Sequence, residues 1–293
     1  MMNGPEQYSG NLRAIYAMMF AVAMFSLMDT AMKILSVQYP AIQVAALRAL
    51  VSLPLVGVYV LWRGAARSLL RVRWPLHLGR GVIGVAMLSL FAFGLKRLSL
   101  AEAYTIFFFG PMMITALSVF ILKEQVRAGQ WIAIVVAMAG VLVVLRPDGS
   151  GFLTIGGLAV LASAVCYAVS AIWGRILART DSTEQMMFWL MMLMSVGGLV
   201  LALPGWVPLR ADDGWLLAGL AVTGFLGQLG LTTAFSSGQA SKVAPFEYSA
   251  LAWGVALDWL LWQALPDRYT LIGAAIIIGS GIYLLRHETP RVA

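Results

Sequence analysis

The sequence predicts an all-α membrane protein of ten transmembrane helices, arranged as an inverted five-plus-five repeat. Three observations carry this prediction. The composition is too apolar for a water-facing domain, ten apolar stretches approach membrane length, and the two halves share residues at a nearly constant offset.

Of 293 residues, 61% are hydrophobic and 11% charged, against about 45–50% and about 25% in soluble domains. Too few charges remain to cover a water-exposed surface of this size, so the apolar excess must face lipid. The net charge of +7 does not indicate nucleic acid, because the basic residues sit in short gaps between apolar runs, as lipid-flanking loops do. The single cysteine, Cys166, excludes an intramolecular disulfide framework. The first apolar run, Ile15 to Met32, is too long for the core of a signal peptide and reads as the first span.

A helix needs roughly 20 apolar residues to cross a hydrocarbon core of about 30 Å. Stretches of that kind lie at 13–33, 41–62, 76–96, 101–122, 128–145, 154–176, 184–204, 214–236, 242–263 and 270–286. The fifth and tenth are the shortest and leave a nine-span or re-entrant arrangement open. Barrel strands are disfavoured because the runs are continuous rather than alternating. Helix-breaking residues punctuate the gaps: Tyr39-Pro40, Arg146-Pro147-Asp148-Gly149, Pro204-Gly205 and Pro266-Asp267. The gap between the second and third spans holds Arg63, Arg67, Arg71, Arg73 and Arg80 with no acid among them. The positive-inside rule puts that loop, and with it both termini, in the cytoplasm.

Phe25 and Tyr167 stand 142 positions apart, as do Lys33-Ile34-Leu35 and Arg175-Ile176-Leu177, and Gln43 and Gln185. Later matches, Ala101 with Ala240, Phe107 with Phe246 and Gly140 with Gly279, stand 139 apart. The expected units are five-helix repeats at 13–146 and 152–287. An odd number of spans per unit turns the second upside down, which in transporters places a substrate site near the midplane between the halves.

With Lys33, Pro40, Arg48, Gly110-Pro111, Leu122-Lys123-Glu124 and Gly140-Val141 in view, the chain resembles the drug/metabolite transporter superfamily, specifically its ten-span EamA-type family. Gln263 and Ala250 stand where the first half has Glu124 and Pro111, so the second half lacks those marks. Within the superfamily the chain looks most like bacterial amino-acid exporters of the YddG type. Riboflavin, S-adenosylmethionine and purine carriers share the frame. The resemblance implies a bacterial inner-membrane secondary transporter exporting amino acids or related metabolites by alternating access. Import of a vitamin or nucleoside-like solute is the alternative.

Pro111 and Pro245 fall within the fourth and ninth spans. A proline there removes a backbone hydrogen bond and kinks the helix, so both are candidate gating positions, against a static packing bend. Candidate cavity-wall residues, and so substrate contacts, are Phe25, Tyr104, Tyr167, Trp173, Gln228, Tyr248 and Trp253. They lie deep in spans, and most carry polar handles that need partners; satisfied packing is the plainer reading of each. Asp29, Lys33, Glu102 and Asp258 read as near the periplasmic ends, and Glu247 as near the cytoplasmic end of its span. With no acid at the midplane, transport without a buried proton relay is expected. Glu124 reads as a helix-end structural residue. Trp62, Trp74, Trp131, Trp206 and Trp215 read as interfacial belt. The glycines at 224, 227 and 230 form a stripe suited to close helix packing.

No G-x-x-x-x-G-K-[ST], H-E-x-x-H or G-x-S-x-G occurs, so neither ATP hydrolysis nor a familiar intramembrane enzyme is expected. No catalytic residue, metal site or cofactor is predicted. The expected partners are a small-molecule substrate and the lipid bilayer, not nucleic acid. Monomer and homodimer are equally compatible with the sequence.

Overall fold

The computed structural model describes residues 5–35, 37–95, 106–145, 154–263 and 268–288, and no strand occurs among them. The helices are α1 (Pro5–Leu35), α2 (Ala41–Trp62), α3 (Trp74–Leu95), α4 (Phe109–Leu117, continued by a π turn, Ser118–Leu122), α5 (Ala128–Leu145), α6 (Ile155–Leu177), α7 (Thr183–Ala202), α8 (Gly214–Ser237), α9 (Ala240–Val243), α10 (Ala250–Trp262) and α11 (Arg268–Glu288). Six segments are long and apolar enough to cross a bilayer: Asn11–Met32, Ile42–Trp62, Trp74–Phe91, Ile155–Leu177, Thr183–Gly205 and Ala211–Ser237. This is a multi-pass membrane protein. Phe109–Leu122, Ala128–Gly140 and Leu271–Ser280 are shorter apolar helices.

Local chemistry sets the helix boundaries. The α2 helix follows Pro40 and gives way to Gly64 at φ 67°, a left-handed stop that glycine adopts without Cβ strain. Thr154 caps α6 by accepting from the Gly157 amide. Ser182 and Gln185 form a reciprocal capping box at the start of α7. Lys123 (φ 56°) and Gln263 (φ 52°) are the two non-glycine residues with positive φ among those described. They close the fourth and ninth apolar stretches, at nearly equivalent repeat positions.

The principal packing partners are α1 with α8, α3 with α6, α2 with α7, and α5 with α11. The α2–α8 and α3–α7 contacts come next, followed by α4 with α6 and α1 with the segment around α10. Exchanging each first-half helix for its second-half counterpart leaves this pattern unchanged. The main contacts run between the sequence halves, which interleave rather than forming separate lobes.

Glycines permit the closest approaches. A Cβ on Gly230 of α8 would stand 2.9 Å from the Ala17 carbonyl oxygen, and one on Gly227 2.7 Å from the Phe25 ring. On α3, a Cβ on Gly79 would meet the Trp173 ring at 2.5 Å. The glycine stripe at 224, 227 and 230 is thus a packing face.

The two repeat-matched glutamines do the same work at opposite ends of α2. Gln43, at its start, donates from Nε2 to the Val207 carbonyl (2.6 Å) and accepts from the Val207 amide (2.8 Å). Gln185 donates to the Ser68 carbonyl (2.7 Å), in the loop that follows α2, and to the Arg71 carbonyl (3.3 Å). Each side chain thereby satisfies backbone groups of a loop from the other half. Beside Gln43, the Tyr39 hydroxyl donates to Asp213 Oδ2 (2.6 Å) and accepts from the Arg210 amide (2.9 Å). Its bond to Asp213 raises the Tyr39 hydroxyl above its usual pKa.

Candidate functional site

The fourth and ninth apolar stretches are not single continuous helices. A turn at Phe108 precedes α4, so Pro111 occupies the first turn of a helix and not the middle of one, as the sequence suggested. Proline is tolerated there because first-turn amides have no intrahelical acceptor. The ninth stretch breaks into α9, a 3-10 segment at Ala244–Ser249 with Pro245 in its first turn, and α10. The two breaks meet. The Tyr248 hydroxyl donates to the Phe108 carbonyl (3.1 Å), and the two rings lie 5.9 Å apart. Tyr248 is 1% exposed, so this bond joins the two interrupted helices inside the protein. Glu124, expected to be structural, accepts from the Ala240 amide at the start of α9 (3.1 Å).

A polar cluster adjoins this junction. The Tyr167 ring lies against Gly110, where a Cβ would stand 3.2 Å from it, and 5.5 Å from the ring of Phe107. Phe107 in turn meets Phe91 edge-on at 5.2 Å. The Tyr167 hydroxyl end meets the Glu247 carboxyl and lies within electrostatic reach of Arg48 and Arg80. Arg80, 7% exposed, lies along α6. Its Nε donates to Ser170 Oγ (3.3 Å), and its Nη2 would be 3.1 Å from a Cβ on Gly174. Asp29 of α1 and Arg48 of α2 face each other within electrostatic reach. Two atoms of the cluster are sealed from solvent without a hydrogen-bond partner: Arg80 Nη1 and Glu247 Oε1.

These placements revise the sequence reading. Arg80 is no loop anchor; it is two turns inside α3 and buried, leaving Arg63, Arg67, Arg71 and Arg73 in the connecting loop. Glu247 lies in the break of the ninth stretch, buried beside Tyr167 rather than exposed at a helix end. The expectation of transport without a buried proton relay rested on the absence of an inner carboxylate, and Glu247 removes that support without deciding how transport is coupled. Both residues were visible as charges inside apolar stretches, which default to functional hypotheses. Arg80 lies inside α3 because that helix begins at Trp74, and Glu247 turns up inside because the ninth stretch breaks around it.

The other candidates divide. Phe25 fills the space over Gly227 between α1 and α8, and Trp173 packs on Gly79 between α3 and α6. Gln228 is 4% exposed, and its Nε2 donates to Thr232 Oγ1 (3.1 Å) one turn along α8, so a partner in its own helix satisfies it. Trp253, on α10, is 43% exposed. Tyr104 lies outside the described residues. An open groove between α3 and α6, lined by Ser89, Phe93, Ile155, Leu158 and Ala162, is almost wholly apolar. Its exposed Ile155 and Leu158 suit lipid contact, so it is not taken as the site.

Comparison with known proteins agrees with this architecture. The profile of the EamA-like transporter family matches residues 12–146 and again 154–286. The chain belongs to the EamA-like transporter family. As a member of the drug/metabolite transporter superfamily, it is a transporter and not an enzyme. Among the relatives of this EamA-like transporter is the pseudopaline exporter CntI of Pseudomonas aeruginosa strain UCBPP-PA14. It is 29% identical, and the match covers 89% of this chain and 92% of CntI. A riboflavin transporter of Vibrio cholerae is 26% identical over 94% of this chain and 93% of its own. An S-adenosylmethionine uptake transporter of Rickettsia conorii is 26% identical over 89% and 88% respectively. A crystal structure superposes with a TM-score of 0.81 at 21% identity, covering 96% of this chain and 99% of that one; it speaks for the fold alone. None of these three relatives singles out the YddG-type exporters. The EamA-like transporter thus has relatives with chemically different cargoes moving in both directions.

Proposed function

We propose that this EamA-like transporter is a secondary carrier of amino acids or related small metabolites, exporting them across the bacterial inner membrane by alternating access. The observation that carries the reading is the meeting of two interrupted helices at Phe108 and Tyr248, beside a buried polar cluster centred on Tyr167. Interrupted helices near a central site are a recurring feature of secondary transporters. In this reading there are ten spans in two inverted units, 13–146 and 152–287, with Pro111 and Pro245 as the hinges. The exchangeable helix pairing and the two glutamine clamps at opposite ends of α2 support it. Import is the second reading, favoured by the S-adenosylmethionine uptake relative.

Counterflow in proteoliposomes loaded with a solute panel tests the carrier reading; exchange of at least one panel solute is expected, and none exchanging would refute it. Tyr167→Ala is expected to impair transport of large solutes with the protein folded and inserted. Tyr167→Phe, which keeps the volume, reports the hydroxyl's part separately. Tyr167→Ala lowering thermal stability and transport together, with Tyr167→Phe silent in both, would reduce Tyr167 to a packing residue. Emptying an aromatic site in a soluble core costs about 3–5 kcal/mol.

Topology gives an independent check. The four loop arginines 63, 67, 71 and 73 anchor their loop inside. Reporter fusions at Ala293 and near Asp212 should therefore read from opposite sides, Ala293 from the cytoplasm. Matching readings would overturn the ten-span arrangement.

A further inference from the structure

Resting on the carrier reading, we infer that the pocket around Tyr167 binds a zwitterion, with its carboxylate on Arg80 and its ammonium group on Glu247. The buried charges support this assignment. Asp29 and Arg48 lie within reach of each other and can neutralise one another. Arg80 and Glu247 are the remaining pair, and neither has an ion-pair partner among the described residues. Each acts on Tyr167 from its own side: Arg80 from the α6 face of Ser170 and Gly174, Glu247 from the 3-10 segment between α9 and α10.

Each of the two also carries one buried atom with nothing to bond, Arg80 Nη1 and Glu247 Oε1. An unsatisfied guanidinium N–H and an unsatisfied carboxylate oxygen in a membrane-embedded bundle are both unfavourable. One ligand bearing both an anion and a cation relieves both at once, and leaves the cluster and its occupant neutral together. A purely anionic ligand would leave Glu247 unsatisfied and repelled. A purely cationic one would do the same to Arg80. The Tyr167 ring, backed by Phe107, supplies an apolar wall beside the two charged groups. Guanidinium suits carboxylate through paired N–H donors, and a carboxylate oxygen accepts from an ammonium group.

The test uses the purified full-length protein in detergent and isothermal titration calorimetry. The ligands are a panel of aliphatic, aromatic and basic L-amino acids, each offered with its deaminated acid and its decarboxylated amine. At least one amino acid is expected to bind about 100-fold more tightly than both of its analogues, because each analogue leaves one buried charge unpaired. Glu247→Gln should abolish discrimination against the deaminated acid and keep it against the amine. Arg80→Gln should do the reverse. General damage to the fold would weaken all three ligands alike and would not produce this crossed pattern. Arg80→Lys, which keeps the charge, covers the case in which Arg80→Gln fails to fold; it should retain rejection of the amine. Equal binding of the amino acid and its analogues, no amino acid binding at all, or variants whose ligand ratios match those of the wild type would each overturn the zwitterion site. If panel solutes still exchange in proteoliposomes in that event, the carrier reading stands without it; if none does, the carrier reading fails on its own terms.

Discussion

Gly230→Leu is expected to leave almost no correctly folded protein, whereas Gly219→Leu on the same helix should be nearly silent. The contrast comes from what each new side chain would meet. At Gly230 a Cβ would stand 2.9 Å from the Ala17 carbonyl oxygen, 3.0 Å from the Ala21 Cβ and 3.2 Å from its Cα. Two of these three are backbone atoms and cannot rotate away, so α1 and α8 must separate along their main contact. Overpacking a core usually costs about 1–3 kcal/mol. A whole leucine side chain against backbone should exceed that range, and with total stabilities of about 5–15 kcal/mol the loss threatens the fold. At Gly219 nothing lies within 4 Å of a new Cβ, and the position is exposed. Monodisperse yield on size-exclusion chromatography is the measurement. Equal yields from the two variants would mean that the α1–α8 contact is not what holds these helices together.

Asp181→Ala should lower stability by about 1–3 kcal/mol, the cost of leaving buried hydrogen-bonding groups without their partner. Asp181 sits in the turn between α6 and α7. Its Oδ2 lies 2.7 Å from His77 Nε2, and the two side chains are 3% and 1% exposed. Oδ2 also accepts from the Arg73 amide (3.3 Å), and Oδ1 from the Thr180 hydroxyl (2.7 Å). Alanine leaves all three donors without their acceptor. Burial acts to raise the Asp181 carboxyl, but the bonds from Thr180, His77 and the Arg73 amide outweigh it and hold its pKa below the ordinary value. A depressed carboxyl stabilises the folded state fully above its unfolded pKa of about 3.9. That contribution is lost as the pH falls through the lower folded value. Thermal denaturation in detergent at neutral pH should show a clear drop in midpoint for Asp181→Ala, and the carboxylate's share of the wild-type midpoint should fade only below about pH 4. An unchanged midpoint at neutral pH would show that the loop after α2 is not held through this contact.

These two sites show how differently the sequence reveals its contents. The glycine stripe on α8 was legible because spacing alone puts residues 224, 227 and 230 on one side of a helix. The matched glutamines were visible as an offset coincidence, and the structure gave them a job: each ties down a loop of the other half. His77 and Asp181 were not legible as a pair. They lie 104 positions apart, and nothing in either local sequence announces the other. Among the candidate wall residues, depth within an apolar run did not separate exposed from buried positions. Trp253 and Tyr248 are five residues apart, yet one is exposed and the other is 1% exposed, because rotation about a helix axis separates faces that depth along the axis does not.

What the sequence determined by itself was the medium and the architecture that medium allows. A chain this apolar can satisfy its backbone inside lipid only by helices or closed barrels, and continuous apolar runs select helices. Composition, run length and loop charge therefore sufficed for a multi-pass helical protein. Only the tertiary structure decided where its buried charges meet. Arg80 and Glu247 come from different halves, 167 positions apart, and Tyr167 stands between them. Both come within reach of Tyr167 because the helices pair across the halves, and because the ninth stretch breaks at a segment that is joined to the fourth through Tyr248 and Phe108. Long-range packing and broken helix geometry leave no periodic trace in a single sequence, so the meeting of these side chains had to come from the folded chain.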